Sequence, residues 1–240
     1  MEEMTSDTFF QGRIRIKQHR NGYRFSIDAV LLAAHAGLKT GETALDLGTG
    51  CGIIPLLLGC RIPDAVIYGI EIQKDLAEMA ESNVRENAME ERIHILSGDM
   101  KTLRPEMISG HADLVVSNPP YRKIGSGRMN PQSQRAVARH EICATLGDVI
   151  QSAQRMLKVS GRFVTIYPAE RLAELFAQMH TSGLEPKHLR AVYSGWNTGA
   201  KLVIVEGVKR GRPGMKISPP LVIYREDGSY TEEVSRMFSL

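Results

Sequence analysis

Cysteine is scarce in this chain. Cys51, Cys60 and Cys143 are the three among 240 residues, and no two are spaced as C-x-x-C. An odd, dispersed set supplies neither a disulfide framework nor a zinc knuckle, and reduced thiols fit the cytosol. No leader is expected: Met1-Glu2-Glu3 lacks the basic-then-apolar pattern, and no apolar run approaches the roughly 20 residues that span a bilayer. The seven histidines are scattered without i, i+4 pairing, and no Ser, His and Asp set announces itself. These absences predict a cytoplasmic protein with no metal and no nucleophilic triad. Internal repeats, low-complexity tracts and long linkers are lacking too. With 42% hydrophobic residues the chain is long enough for one substantial core. The expectation is a single domain over residues 1–240, with a basic hairpin and helix in 1–40 and the catalytic core in 41–240, and a monomer.

What the chain does contain begins with Asn118-Pro119-Pro120-Tyr121, placed directly after the apolar run Ala112-Asp113-Leu114-Val115-Val116-Ser117. That is the C-terminal end of a buried strand, where an open α/β sheet keeps its active site. The asparagine side-chain oxygen and the Pro119 carbonyl together can accept both hydrogens of a planar NH2 group, and Tyr121 offers a face for a flat ring. The prolines fix φ and remove two backbone donors that would compete for those acceptors. Asn-Pro and Pro-Pro are also ordinary turn signals after a strand, so the weight comes from the rest of the chain.

Upstream, Thr43-Ala44-Leu45-Asp46-Leu47-Gly48-Thr49-Gly50-Cys51-Gly52 runs from a short strand through three glycines into the apolar segment that starts at Ile53. A strand, a glycine turn and a helix form a nucleotide-cradling unit. The spacing is G-x-G-x-G, with Ile53 where a dinucleotide fingerprint wants its third glycine, which weakens an oxidoreductase reading. Glu71 closes a second strand 21 residues after Gly50, where a carboxylate can take both hydroxyls of a ribose. Asp99 and Met100 follow a third, Ile93-His94-Ile95-Leu96-Ser97, and Asp99 can accept from an adenine amino group. Each acid also reads as a strand-end carboxylate capping the next helix. Cys51, inside the glycine turn, reads as a small residue beside a cofactor; a helix N-terminus lowering its pKa is the alternative.

In their joint order these residues resemble the class I S-adenosylmethionine-dependent methyltransferases of the amino-methylating type. Arg24-Phe25-Ser26-Ile27-Asp28-Ala29-Val30-Leu31-Leu32, Arg139-His140-Glu141, and the tail from Lys209-Arg210-Gly211-Arg212-Pro213-Gly214 to Pro219-Pro220-Leu221 are similar to the bacterial tRNA1(Val) adenine-N6-methyltransferase family. The resemblance implies methylation of the adenine just 3′ of the anticodon. It assigns Asp46, Gly48, Thr49, Gly50, Gly52, Glu71, Asp99, Met100 and Asn118 to S-adenosylmethionine, and Asn118, Pro119, Pro120 and Tyr121 to the target amine. Ser26 reads independently as the cap of a helix beginning near Ile27. The roles of Asp28 and Glu141 stay open.

From Ala44 onward, strand candidates alternate with helical stretches. The pattern predicts a doubly wound, seven-stranded Rossmann-like methyltransferase sheet preceded by the hairpin and helix. Residues 73–87 and 146–157 read as amphipathic helices. The last two strands, near 189–193 and 201–206, are joined by Ser194-Gly195-Trp196-Asn197-Thr198-Gly199-Ala200. That link is too short for a helical crossover, so the last strand should pair antiparallel. Trp196 belongs either to that loop or to a contact surface.

The net charge of +3 hides an uneven distribution. Residues 11–24, 122–140 and 207–216 hold 14 of the 30 Lys and Arg and no Asp or Glu, so one part of the protein is built to meet anions. Arg13, Arg15 and Lys17 alternate with Ile14 and Ile16, with Asn21-Gly22 following, which reads as a hairpin with cations on one face. Arg122, Lys123 and Arg128 lie in a long loop after the tetrapeptide. Lys209, Arg210 and Arg212 complete the candidate RNA-contact set. Two rival functions fit the tetrapeptide: methylation of a glutamine amide in peptide-release factors, and an inactive fold that binds RNA. Release-factor enzymes generally carry a helical substrate domain before the core, whereas here only 45 residues, a basic segment, precede Asp46.

Overall fold

The computed structural model describes residues 4–19, 26–119 and 144–239. Its frame is a nine-stranded sheet in which seven strands form the expected doubly wound core. β3 (Thr43–Leu47) lies at the centre, flanked on one side by β4 (Val66–Glu71) and β5 (Ile93–Ser97), all parallel. On the other side come β6 (Ala112–Ser117) and β7 (Leu157–Pro168), also parallel. β9 (Ala200–Lys209) inserts antiparallel between β7 and β8 (Leu184–Tyr193), as the short Ser194–Ala200 link requires.

Both sheet faces are covered, which is why these strands read as continuous apolar runs. Ala44, Leu114 and Val116 belong to one apolar layer with α1 (Ile27–His35), α2 (Ile53–Arg61) and α3 (Lys74–Glu86). Leu45, Leu47 and Val115 belong to the other, with α4 (Leu146–Met156) and α5 (Leu172–Thr181). α4 starts at a capping box in which Thr145 and Asp148 satisfy each other's backbone N–H groups. Ser26 caps α1 as its sequence predicts, its hydroxyl accepting from Asp28 N at 3.3 Å.

The N-terminal hairpin differs from the sequence expectation. Ile14–His19 is its second strand, β2, paired antiparallel with the upstream β1 (Met4–Phe9). The reversal falls at Phe10, Gln11 and Gly12, all at positive φ; Asn21-Gly22 lies outside the described residues. A buried Phe10 ring under the Arg61 guanidinium, 5.1 Å from its centroid, holds that turn. The alternation holds: Ile14 and Ile16 are buried, Arg13, Arg15 and Lys17 exposed.

Side-chain amides of α3 clip β2 to the core. Asn83, fully buried, accepts from Lys17 N and donates to Lys17 O and Cys51 O. Asn87 does the same for Arg15. These amides act as a surrogate strand along an otherwise unpaired edge.

The C-terminal tail adds two pieces that the sequence reading did not contain. β10 (Lys216–Ile217) and β11 (Leu221–Val222) both pair parallel with β8, interrupted by Pro219 and Pro220, which lack the N–H a continuous ladder needs. The tail ends in α6 (Glu232–Met237), which packs on α1. Arg190 of β8 ties these parts together, donating to Pro219 O, Glu233 and His35 Nε2.

Candidate active site

The C-terminal ends of β3, β4, β5 and β6 open onto one cleft, lined by Gly48, Gly50, Glu71, Asp99, Asn118 and Pro119 among others. Gly48, Gly50 and Gly52 all adopt positive φ, which an L side chain resists. They turn the chain from β3 into α2 while Gly48 N and Thr49 N donate to Ile70 O. Gly69 is required for closeness instead: a Cβ there would sit 2.9 Å from Thr49 Oγ1.

Glu71 is buried at the end of β4 and organises the floor. Its Oε2 accepts from Gly50 N and its Oε1 from Gln73 N, each at 2.9 Å. Each oxygen keeps a second lone pair toward the cleft it lines. Asp99 lines the next wall and also caps the turn after β5, accepting from Lys101 N at 2.9 Å, so the capping and binding readings coincide. Met100 O is held by Ser152 Oγ and by Arg155 Nη2, with Arg155 Nε on Leu103 O.

Asp46 lies deeper than the sequence suggests. It is fully buried below the glycine turn, outside the cleft lining, and neither carboxylate oxygen nor the Thr49 hydroxyl has a hydrogen-bond partner among the described residues. Burial raises its pKa from 3.8 to about 7; proximity to Thr49 draws the value back and the Glu71 charge pushes it further up. Two buried polar groups without partners among the described residues, under a turn in which Gly48 is exposed, are a fit for a cofactor with a cationic end. Cys51 is different: burial pushes its thiol up to about 12, which removes the activated-thiolate alternative.

Asn118 and Pro119 follow β6 into the same cleft. β6 is pinned at that end on both sides, Ser117 Oγ donating to Leu47 O and Thr165 Oγ1 to Ser117 O, each at 2.9 Å. Pro120, Tyr121, Arg122, Lys123 and Arg128 lie outside the described residues. Sequence reasoning missed Ile72, Ala144 and Val149, which supply apolar walls. Ile72, 41% exposed directly after Glu71, was the findable one, since an apolar residue just past a strand-end acid has no core to join.

The remaining cations are not brought to the cleft. β9 runs antiparallel, so its end at Lys209, and Arg210 after it, lie at the opposite sheet edge from Asn118. Lys209 Nζ donates to Leu157 O there, and Arg210 and Arg212 are exposed. The hairpin turn beside Arg13 meets the C-terminal end of α2, also at the far edge. Arg15 and Lys17 then rise toward the cleft side, with Lys17 paired to Glu86.

Residues 24–182 match the family described as the methyltransferase small domain. The chain belongs to that family. Within it, a relative from Porphyromonas gingivalis named tRNA1(Val) (adenine(37)-N6)-methyltransferase is 34% identical over 98% of this chain and 94% of its own length. One of the same name from Pedobacter heparinus is 30% identical over 92% and 91%. The fold is similar to that of a predicted O-methyltransferase from Agrobacterium tumefaciens, at TM-score 0.71 and 20% identity over 88% of this chain and 94% of that one. Among the described residues no helix is long and apolar enough to cross a membrane, and no three His, Cys, Asp or Glu cluster as metal ligands.

Proposed function

We propose that this chain transfers a methyl group from S-adenosylmethionine to the exocyclic N6 of an adenine in tRNA, the adenine beside the anticodon of tRNA(Val), in the cytoplasm. The observation that carries the reading is the convergence of Asn118 and Pro119 with the glycine turn, Glu71 and Asp99 on one cleft. The names of full-length relatives supply the acceptor.

When bound, the cofactor supplies an activated methyl on a sulfonium whose departure leaves a neutral thioether, so no metal or covalent enzyme intermediate is needed. The chain supplies positions. Gly48, Thr49, Gly50 and Gly52 offer close backbone approach to the methionyl end; Asp46 and Thr49 answer its ammonium from beneath. Glu71 accepts from the ribose hydroxyls, Asp99 from the adenine amine, and Ile72, Met100 and Val149 sandwich the ring. The Asn118 side-chain oxygen and Pro119 carbonyl take the two N6 hydrogens of the substrate base, turning the nitrogen lone pair toward the methyl. Orientation of this kind lowers barriers by roughly 7–11 kcal/mol in favourable cases. Tyr121 stacks on the base once it leaves its neighbours. The alkylated nitrogen is acidic enough to lose its proton to water.

The test is methyl transfer from labelled S-adenosylmethionine to bulk RNA and to total protein from cells lacking the gene, read by mass spectrometry of nucleosides and peptides. N6-methyladenosine in the tRNA fraction is expected. Methylglutamine in a release factor with silent RNA would replace the acceptor, and no transfer to either would remove the enzymatic reading.

A further inference from the structure

The only tryptophan of the chain has no part in the cleft. Trp196 is 69% exposed in the turn between β8 and β9. An exposed tryptophan forfeits a large burial gain, and this one is presented by an ordered turn. Thr198 Oγ1 donates to Gly195 O at 2.8 Å and accepts from Gly195 N, and Thr198 N closes the same turn on Gly195 O. The indole is therefore held out in the solvent by backbone geometry.

Topology places that turn on the catalytic side. β8 is parallel to β7 and β6, both being antiparallel to or paired across β9 in one register: Ser117 is level with Thr165, Thr165 with Val205, and Val205 with Leu189. β8 continues from that level to Tyr193, so the β8–β9 hairpin stands about 13 Å above the level of Ser117, and it lies three strands, roughly 14 Å, to the side. Trp196 caps the resulting wall on the cleft side, roughly 19 Å from the end of β6. A second ring accompanies it. Tyr224 N donates to Ser194 O at 3.0 Å, and the Tyr224 ring, 38% exposed, begins a column of stacked rings through Tyr230 and Phe238 to Phe9. The charge agrees: residues 186–205 contain no Asp or Glu, and Lys201 is exposed beside the turn. Glu226 and Asp227 follow Tyr224 and bound the surface on that side.

We propose that Trp196, with Tyr224 beside it, is a stacking platform for an unpaired base of the substrate RNA a few nucleotides from the one held at Asn118. The proposal rests on the RNA reading above and extends it to a contact outside the cleft. An exposed indole next to Lys201, in a stretch without acids, suits single-stranded nucleic acid, because every base has a π-face to stack, and the anticodon loop is where a tRNA offers such bases around a target adenine.

A lone tryptophan is its own reporter. Titration with unmodified tRNA(Val) transcript should quench Trp196 emission with the same midpoint as half-saturation of methyl transfer, whereas a fully paired RNA duplex should not. Trp196→Ala should raise KM for tRNA roughly five- to a hundred-fold, leave cofactor affinity unchanged, and be largely rescued by Trp196→Phe. Unchanged emission at saturating tRNA, or wild-type kinetics for Trp196→Ala while tRNA is being methylated, would overturn the platform and leave the enzymatic reading standing. Emission that follows protein concentration alone, with a dimer in sedimentation, would reassign the surface to a second copy of the chain. Quenching by tRNA without methyl transfer would sink the acceptor assignment while keeping the platform as an RNA contact.

Discussion

If Asp46 must be ionised to receive the cofactor's ammonium, binding has to expel a proton in the neutral range. The carboxyl is fully buried, its oxygens have no partners among the described residues, and burial lifts its pKa to about 7. At pH 7 about half the apo protein carries the charge; at pH 5.5 about 3% does, so affinity for S-adenosylmethionine should weaken about fifteen-fold between those values. The ligand's α-amino group, with an ordinary pKa near 7.7–8.0, stays protonated over this window. Titration calorimetry in buffers of different ionisation enthalpy should show about half a proton released per cofactor at pH 7. Asp46→Asn removes the slope and weakens binding at pH 7. It also changes the apo protein in the opposite direction. The native group binds a proton more readily than the unfolded one, so the wild type is penalised above pH 7 and relieved as pH falls from about 7 toward 3.8. A shift of about three units corresponds to about 4 kcal/mol, of which an unsatisfied buried amide takes back about 1–3 kcal/mol. Asp46→Asn should therefore raise Tm at pH 8 and lose that advantage near pH 4. Cofactor affinity that is flat from pH 5.5 to 7, or a Tm gain equal at pH 5 and pH 8, would refute the reasoning.

Three further outcomes are expected. Asn118→Ala should abolish methyl transfer while leaving equilibrium binding of S-adenosylhomocysteine nearly intact; parallel loss of both would remove its assignment to the target amine. Asn83→Leu keeps the volume but strands Lys17 N, Lys17 O and Cys51 O, at a cost of about 2–4 kcal/mol. Hydrogen exchange at the Lys17 and Arg15 amides should speed up in that variant, and unchanged protection would show that the hairpin is held by apolar contacts alone. His35 donates from Nδ1 to Leu31 O and accepts at Nε2 from Arg190, which requires the neutral ring; burial lowers its pKa from 6.5, helped by the Arg190 charge. Here the unfolded state binds the proton more readily, so stability falls as pH drops below about 6.5, and the Tm difference between His35→Gln and wild type should move in the variant's favour there. A constant difference from pH 5 to pH 8 would rule this out. Asp46 and His35 act with opposite sign in overlapping windows, so each is read from its own variant.

The convergence of the glycine turn, Glu71, Asp99 and Asn118 on one cleft was legible because its parts are local. Three glycines at positive φ, a strand-end Glu71 and Asp99, and Asn-Pro after β6 each state their backbone requirement within a few residues, and parallel strands bring consecutive C-termini to one edge automatically. The hairpin itself was legible from its alternation, but its turn was not, for the complementary reason. Asn21-Gly22 carries the stronger local turn signal, whereas the turn used puts Phe10 and Gln11 at positive φ, a cost met by burying the Phe10 ring under Arg61, which lies 51 residues away. Asn83, Asn87 and Arg155 carry no distinguishing signal within the amphipathic stretches 73–87 and 146–157. Their amide and guanidinium groups matter only because β2 and the Met100 corner arrive from elsewhere to accept them.

The cations show the same division more sharply. A run free of acids is a property of sequence, but its address is set by strand direction. One antiparallel strand, β9, carries Lys209 and Arg210 away from Asn118, and by the same reversal lifts the β8–β9 turn above it. The reversed strand that the sequence does announce, through a link too short for a helix, therefore sets Lys209 and Arg210 at the far sheet edge and Trp196 on the side of Asn118. Swapping the chemistry of the two ends should separate them: charge reversal at Lys209 and Arg210 should leave KM for tRNA within about two-fold, as expected for cations beyond a Debye length of about 8–10 Å from the bound strand, while charge reversal at Lys201 should raise it. Equal losses at both ends would mean that the RNA wraps the sheet edge to edge, and that the far-edge cations belong to the substrate surface after all.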